Sequence, residues 1–157
     1  RILYGVMNGM DGVWCERVFA PWGDMEQAMR DNSLPLWALE SQTPVREFDM
    51  IAFTIGYEMA YSNILNMLNL AGVPLRSKDR QGLKNIVFAG GVCAFNPEPL
   101  ADFIDFFSLG EGEDITVEIL QLYDRAKAEG TLMTPTSTLK ARKYITCATA
   151  ISAYASA

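Results

Sequence analysis

The residues that could do chemistry gather in three short loops: Thr54-Ile55-Gly56-Tyr57-Glu58, Gly90-Gly91-Val92-Cys93-Ala94-Phe95-Asn96-Pro97 and Gly110-Glu111-Gly112-Glu113. Each follows an apolar run that reads as a buried strand. In an open α/β sheet, ligands bind beyond the carboxyl ends of such strands. The Gly90-Gly91 pair would permit positive φ and let a bulky ligand approach the backbone; the same pair serves equally as a tight strand-to-helix turn. Gly110 to Glu113 is not a dinucleotide fingerprint, because GxGxxG needs a glycine where Ile115 stands, and no Lys-Ser or Lys-Thr follows for a phosphate loop. Glu111 and Glu113 would repel a phosphate at a helix start but suit the helix dipole, so they either support the first turn or face a ligand amide, a hydroxyl or a partner domain. Tyr57, Tyr61 and Phe95 either line an apolar pocket or belong to the core. Asp102 and Asp105 read as solvated turn residues.

Composition removes much of the remaining chemistry. The 157 residues contain no histidine, which excludes Ser-His-Asp and Cys-His machinery, an imidazole base and His-ligated zinc from this chain. Three cysteines, Cys15, Cys93 and Cys147, are too far apart for a CxxC or CxxxCxxC loop. Their odd number without a framework suits a reducing compartment, so we expect a cytoplasmic protein. The net charge of −6 argues against a dedicated nucleic-acid binder. Apolar stretches fall short of the ~18 residues of a spanning helix, so no membrane role is expected. No nucleophile–base pair stands out, and catalytic residues are expected to be none.

The elements that must position these loops alternate. Residues 13–20 (VWCERVFA) read as a strand and 24–31 as a short helix with Asp24 as N-cap; residues 36–39 could add a short strand. Residues 50–55 (MIAFTI) form a continuous apolar run, the pattern of a strand covered on both faces. A helix over 58–71 follows, with Ala60, Ile64, Met67 and Ala71 as one stripe and Gly72 and Pro74 closing it. Residues 85–89 and 106–109 read as two further strands, 97–103 as a short helix and 114–129 as a long one ending at Gly130. This alternation predicts an α/β fold: an open parallel sheet with helices on both faces.

The two ends depart from this pattern. The chain opens on Ile2, Leu3, Val6 and Met7, an apolar helical stripe without a capping residue, as a truncated frame would give. Residues 1–130 carry 10 Lys/Arg and 19 Asp/Glu, whereas residues 131–157 carry three basic residues and no acid. We therefore divide the chain into a domain over 1–130 and an atypical tail over 131–157, expected to be disordered, weakly helical or non-native.

The order FDMIAFTIGYEMAYSNILNMLNLAG, then NIVFAGGVCAFNPEPLADFIDFFSLGEGE, resembles the N-terminal cobalamin-binding-like domain of radical SAM proteins, in which a strand runs into GG, an Asn-Pro-Glu-Pro helix follows and the next strand ends in GEGE. The upstream segment ILYGVMN…VWCERVFAPWGDMEQAMR…LPLWALES fits the same subfamily, so the resemblance covers about residues 1–130. It implies a flavodoxin-like (Rossmann-like) sheet with cobalamin, or a vestigial cobalamin site, at the strand ends. The ligand edge would be Thr54 and Gly56 after one strand, Gly90 and Gly91 after the next, and Gly110, Glu111, Gly112 and Glu113 after the last. Members that bind cobalamin through the protein use a histidine in an Asp-x-His-x-x-Gly loop after the first strand. This chain has none, and by the resemblance that strand and loop should precede Arg1.

The resemblance further implies an auxiliary domain supporting S-adenosylmethionine-dependent radical chemistry. The [4Fe–4S] cluster and S-adenosylmethionine would belong to a radical SAM barrel domain of the same polypeptide, absent from this chain, and that barrel would be its partner. The alternatives are a structural docking domain that has lost cobalamin and a flavodoxin-like module for a nucleotide or flavin. A missing first strand would sit at the centre of a 2-1-3-4-5 sheet, leaving unpaired edges beside the gap and an isolated chain of poor stability.

Overall fold

The computed structural model describes residues 2–80, 82, 84–128 and 143–149, the last seven and Ala126 by backbone alone. In chain order the elements are α1 (Ile2–Asn8), β1 (Val13–Phe19), α2 (Gly23–Asp31), β2 (Met50–Thr54), α3 (Tyr61–Ala71), β3 (Ile86–Gly90), β4 (Phe106–Phe107), α4 (Gly112–Ala128) and β5 (Lys143–Thr149). The strands form one parallel sheet in the order β1-β5-β2-β3-β4. This is the open parallel α/β architecture that the alternation implied, and it is flavodoxin-like, as the resemblance implied.

Alternation along each strand sorts the two faces. Ile51, Phe53, Val87 and Ala89 point into one core with Met29 of α2 and Ile64, Met67 and Leu68 of α3. Met50, Ile86 and Phe88 point the other way, against Met7 of α1 and Ile119, Leu120 and Tyr123 of α4. Phe88 and Phe106 stack across β3 and β4, with ring centroids 5.0 Å apart. Both faces are covered, which is why the strands read as continuous apolar runs.

Several boundaries differ from those expected. The N-cap of α2 is Trp22, while Asp24 lies inside the first turn and accepts a hydrogen bond from the Met25 N–H. Residues 36–39 form no strand; Trp37 makes a single antiparallel bridge to Pro44. The helix expected over 58–71 is a 3-10 turn at Glu58–Ala60 leading into α3, and the one expected over 97–103 is a 3-10 turn at Glu98–Leu100. The left-handed Gly72, at φ 69°, ends α3 as expected.

The slot between β1 and β2, where a 2-1-3-4-5 sheet has its first strand, is taken by β5. Cys15 and Met50 both pair with Ile145, so the unpaired edges expected there are absent among the described residues. Tyr144, Ile145, Thr146 and Thr149 are β-formers within a segment whose composition suggested disorder or weak helix. Residues 131–142 and 150–157 of the tail, and the expected Gly130 cap, lie outside the described residues.

β1 is an edge strand whose outward groups are capped. The Asn8 side chain accepts from the Cys15 N–H at 2.9 Å and donates to the Cys15 carbonyl at 3.0 Å, replacing a neighbouring strand. The Arg17 carbonyl accepts from the Leu39 N–H at 2.7 Å, and the Arg17 N–H donates to Glu40 Oε2 at 2.8 Å. Buried Glu16 accepts from Trp14 Nε1 and from the Ser41 N–H and hydroxyl. These contacts remove the template that an exposed edge offers to other chains.

At the start of β3 and β4 lies a buried ion pair. Arg80 donates to the carbonyls of Pro74, Leu75 and Phe103 and to Asp105. Asp105 also accepts from the Ser77 hydroxyl and, at 2.7 Å, from the Val87 N–H. Asp105 is therefore a structural clamp rather than a solvated turn residue, because its oxygens replace missing strand partners. Asp102 does remain solvent-facing, paired with Arg76.

Two outcomes are expected. Asp105→Ala leaves Arg80 buried without its partner and should cost about 3–5 kcal/mol in urea denaturation. Burial works to raise the Glu40 pKa, but hydrogen bonds from Arg17 outweigh it and hold the carboxyl below its ordinary value. A depressed folded pKa gives stability that is present above the unfolded value and lost as pH falls through the folded one. Glu40→Gln should therefore flatten part of the acid limb of a stability–pH curve, whereas an unchanged limb would contradict this role.

Candidate functional site at the carboxyl edge of the sheet

The three loops leave the sheet side by side. The Ile55 N–H donates to the Gly90 carbonyl at 2.8 Å, the Cys93 N–H to the Ile55 carbonyl at 3.2 Å, and the Ser108 N–H to the Ala89 carbonyl at 2.8 Å. These bonds extend the ladder past the strands and set the loops in register.

Between them and helices α1 and α4 lies a cleft of about 170 Å³. It is lined by Thr54 and Phe53 of β2, Gly90 and Gly91, Ser108, Gly110 and Gly112, with Leu3 and Met7 of α1 and buried Thr116 of α4. Five of the eight residues expected at the ligand edge thus meet in one place: Thr54, Gly90, Gly91, Gly110 and Gly112. Gly56, Glu111 and Glu113 are not in its lining. Glu113 stands in the first turn of α4, and Glu111 is exposed just before it.

Two of the glycines have internal reasons. At Gly91, φ is 100° and an added Cβ would lie 2.7 Å from the Ile55 carbonyl oxygen. Backbone presses on backbone there, and no side chain can yield. At Gly112, a Cβ would meet the Leu3 side chain at 3.1 Å, so this glycine lets α1 lie on the start of α4. By contrast, no atom lies within 4 Å of a Cβ built at Gly56.

The aromatics expected near the site lie outside the cleft. Tyr57 and Phe95 are exposed, and Tyr61 packs against the core shared with α2 and α3. The Tyr61 hydroxyl is buried with no hydrogen-bond partner among the described residues. Burial pushes the Tyr61 phenol up, with nearby Cys93 and Glu58 adding to the effect. Burial likewise pushes the Cys93 thiol up, and the Glu58 charge adds to it, so Cys93 is no activated nucleophile.

Among the described residues, no ionisable side chain lines the cleft. Its polar groups are the hydroxyls of Thr54, Ser108 and Thr116 and the loop backbone. These can receive a neutral or apolar group and hydrogen-bond it. Among the described residues, no group of three or more His, Cys, Asp or Glu side chains could hold a metal ion. Sequence reasoning missed Leu3, Met7, Ser108 and Thr116; the uncapped apolar stripe of α1 was the signal that something packs on it.

The family model for the N-terminal part of radical SAM proteins matches residues 1–147. The chain belongs to this family. The match runs past residue 130, where composition drew a boundary, and into β5. The radical SAM N-terminal domain is also 32% identical over 96 residues to a protein of Methanocaldococcus jannaschii named only as uncharacterized protein MJ0966. That alignment covers 58% of this chain and 20% of the other, so the chain spans about a fifth of the length of that relative. No solved structure matches the chain.

The internal role of Gly91 predicts a contrast. Gly91→Ala should destabilise the domain by about 1–3 kcal/mol through strain and the clash with Ile55, while Gly56→Ala should be close to neutral. Urea midpoints of the two variants check this.

Proposed function

We propose that this radical SAM N-terminal domain is a non-catalytic auxiliary unit of a cytoplasmic enzyme, supporting S-adenosylmethionine-dependent radical chemistry that a catalytic barrel of the same polypeptide carries. The observation that carries this reading is that the described residues converging on the strand-end cleft are glycines, hydroxyl-bearing and apolar side chains, with no ionisable group among them. The [4Fe–4S] cluster and S-adenosylmethionine then belong to the barrel. The thiols of Cys15 and Cys93 suit a reducing cytoplasm. Among the described residues no helix is long and apolar enough to cross a membrane.

Cobalamin is the second reading, favoured by the meeting of the GG and GEGE loops in one cleft. The residues present do not fit it as they stand. The cleft of about 170 Å³ is below the ~300–1,000 Å³ of usual ligand pockets. Leu3 and Met7 occupy its wall, two of its glycines, Gly91 and Gly112, are required by internal packing, and this chain has no histidine to serve as a lower ligand. A flavin or nucleotide meets the same limit of size.

The test is made on the full-length protein, purified anaerobically with its cluster reconstituted. The expected visible spectrum is that of an iron–sulfur protein that retains no methylcobalamin or flavin through gel filtration. Stoichiometric corrinoid bands would establish the cobalamin reading instead. Absence of any iron–sulfur chromophore would refute the radical SAM assignment of function.

A further inference from the structure

The edge that bears the cleft also bears an unusual exposed rim. Tyr57 and Met59 after β2, Val92 and Phe95 after β3, and Leu109 after β4 are all solvent-facing, with Val92 72% and Phe95 69% exposed. They come from three successive loops held in register by the bonds at Ile55, Cys93 and Ser108. Val92 and Phe95 share one short 3-10 turn, Val92–Phe95, which leaves the sheet at Gly91. Within this turn Ala94 is buried and Cys93 packs against the core, while Val92 and Phe95 face outward. Single exposed apolar residues need no explanation, but a cluster rimmed by polar groups marks an interaction site.

The charges that these three loops themselves carry have one sign. Glu58, Glu98 and Glu111 are exposed beside it, and residues 55–59, 91–100 and 108–114 contain no Lys or Arg. The complementary surface is apolar at its centre and basic at its margin.

We infer that this rim is the docking surface for the catalytic part of the same radical SAM polypeptide, which meets it with an apolar patch fringed by Lys or Arg. The inference rests on the auxiliary role proposed above and names the surface through which it acts. Its occupant follows from the family, whose matching model is the N-terminal part of larger proteins, and from a relative of which this chain spans only a fifth. Docking there would also close the mouth of the cleft against solvent.

The test is hydroxyl-radical footprinting of the reconstituted full-length protein, with Met25 as internal reference. Met59 is 60% exposed in this domain and Met25 42%, so without docking Met59 should oxidise at least as fast. The expected result is oxidation of Met59 several-fold slower than Met25. The double variant Val92→Asp/Phe95→Asp, at exposed positions, should raise Met59 to the Met25 level with the melting temperature unchanged. Met59 oxidised as fast as Met25 in a protein that retains its cluster would overturn the docking surface alone. So would protection that survives the double variant, or protection lost on dilution, which would assign the rim to a second copy. Loss of the cluster chromophore would overturn the functional reading and this one with it.

Discussion

The approach of Gly91 to Ile55 governs the working edge of this domain. Two backbone segments meet so closely that a Cβ at Gly91 would sit 2.7 Å from a carbonyl oxygen. That contact lets the Ile55 N–H reach Gly90 and the Cys93 N–H reach Ile55, so the exits of β2 and β3 are one hydrogen-bonded unit. The 3-10 turn that carries Val92 and Phe95 begins directly at this contact. A glycine that suggests a ligand is here explained by the chain's own packing.

The opposite end of the strands is held by electrostatics. Arg80 and Asp105 gather four chain segments around one buried pair, and Asp105 accepts the Val87 N–H of β3 with one carboxylate oxygen. Along β1, the side chains of Asn8 and Glu40 and the backbone of Leu39 take the place of a sixth strand. Polar side chains thus do what sheet extension would otherwise do, and the fold ends where it does because its outward donors and acceptors are already paired. One end of the sheet is clamped, while the other is left open and apolar.

That asymmetry fits a member of the radical SAM N-terminal family. Among the described residues, the cleft holds hydroxyls, backbone and apolar side chains, and Glu58, Glu98 and Glu111 beside it face solvent. What the carboxyl edge supplies is shape: a cleft and an exposed apolar rim whose three loops carry carboxylates.

The sequence by itself determined the alternation of strands and helices, because burial on both faces leaves continuous apolar runs such as MIAFT and IVFAG, while a one-sided helix leaves a stripe such as Ile64, Met67 and Ala71. It also located the loops of the carboxyl edge, since Thr54, Gly90, Gly91, Gly110 and Gly112 lie at the ends of those runs. Other features depended on contacts between residues distant in the chain. Asp105 looked solvated because Arg80, its partner, is 25 residues away. Leu3 and Met7 could not be assigned to the cleft without knowing that α1 lies on α4. The place of β5 depends on a slot between β1 and β2 that no local pattern reveals, because strand order is set by which edges remain unpaired and not by the propensities of the strand that fills them.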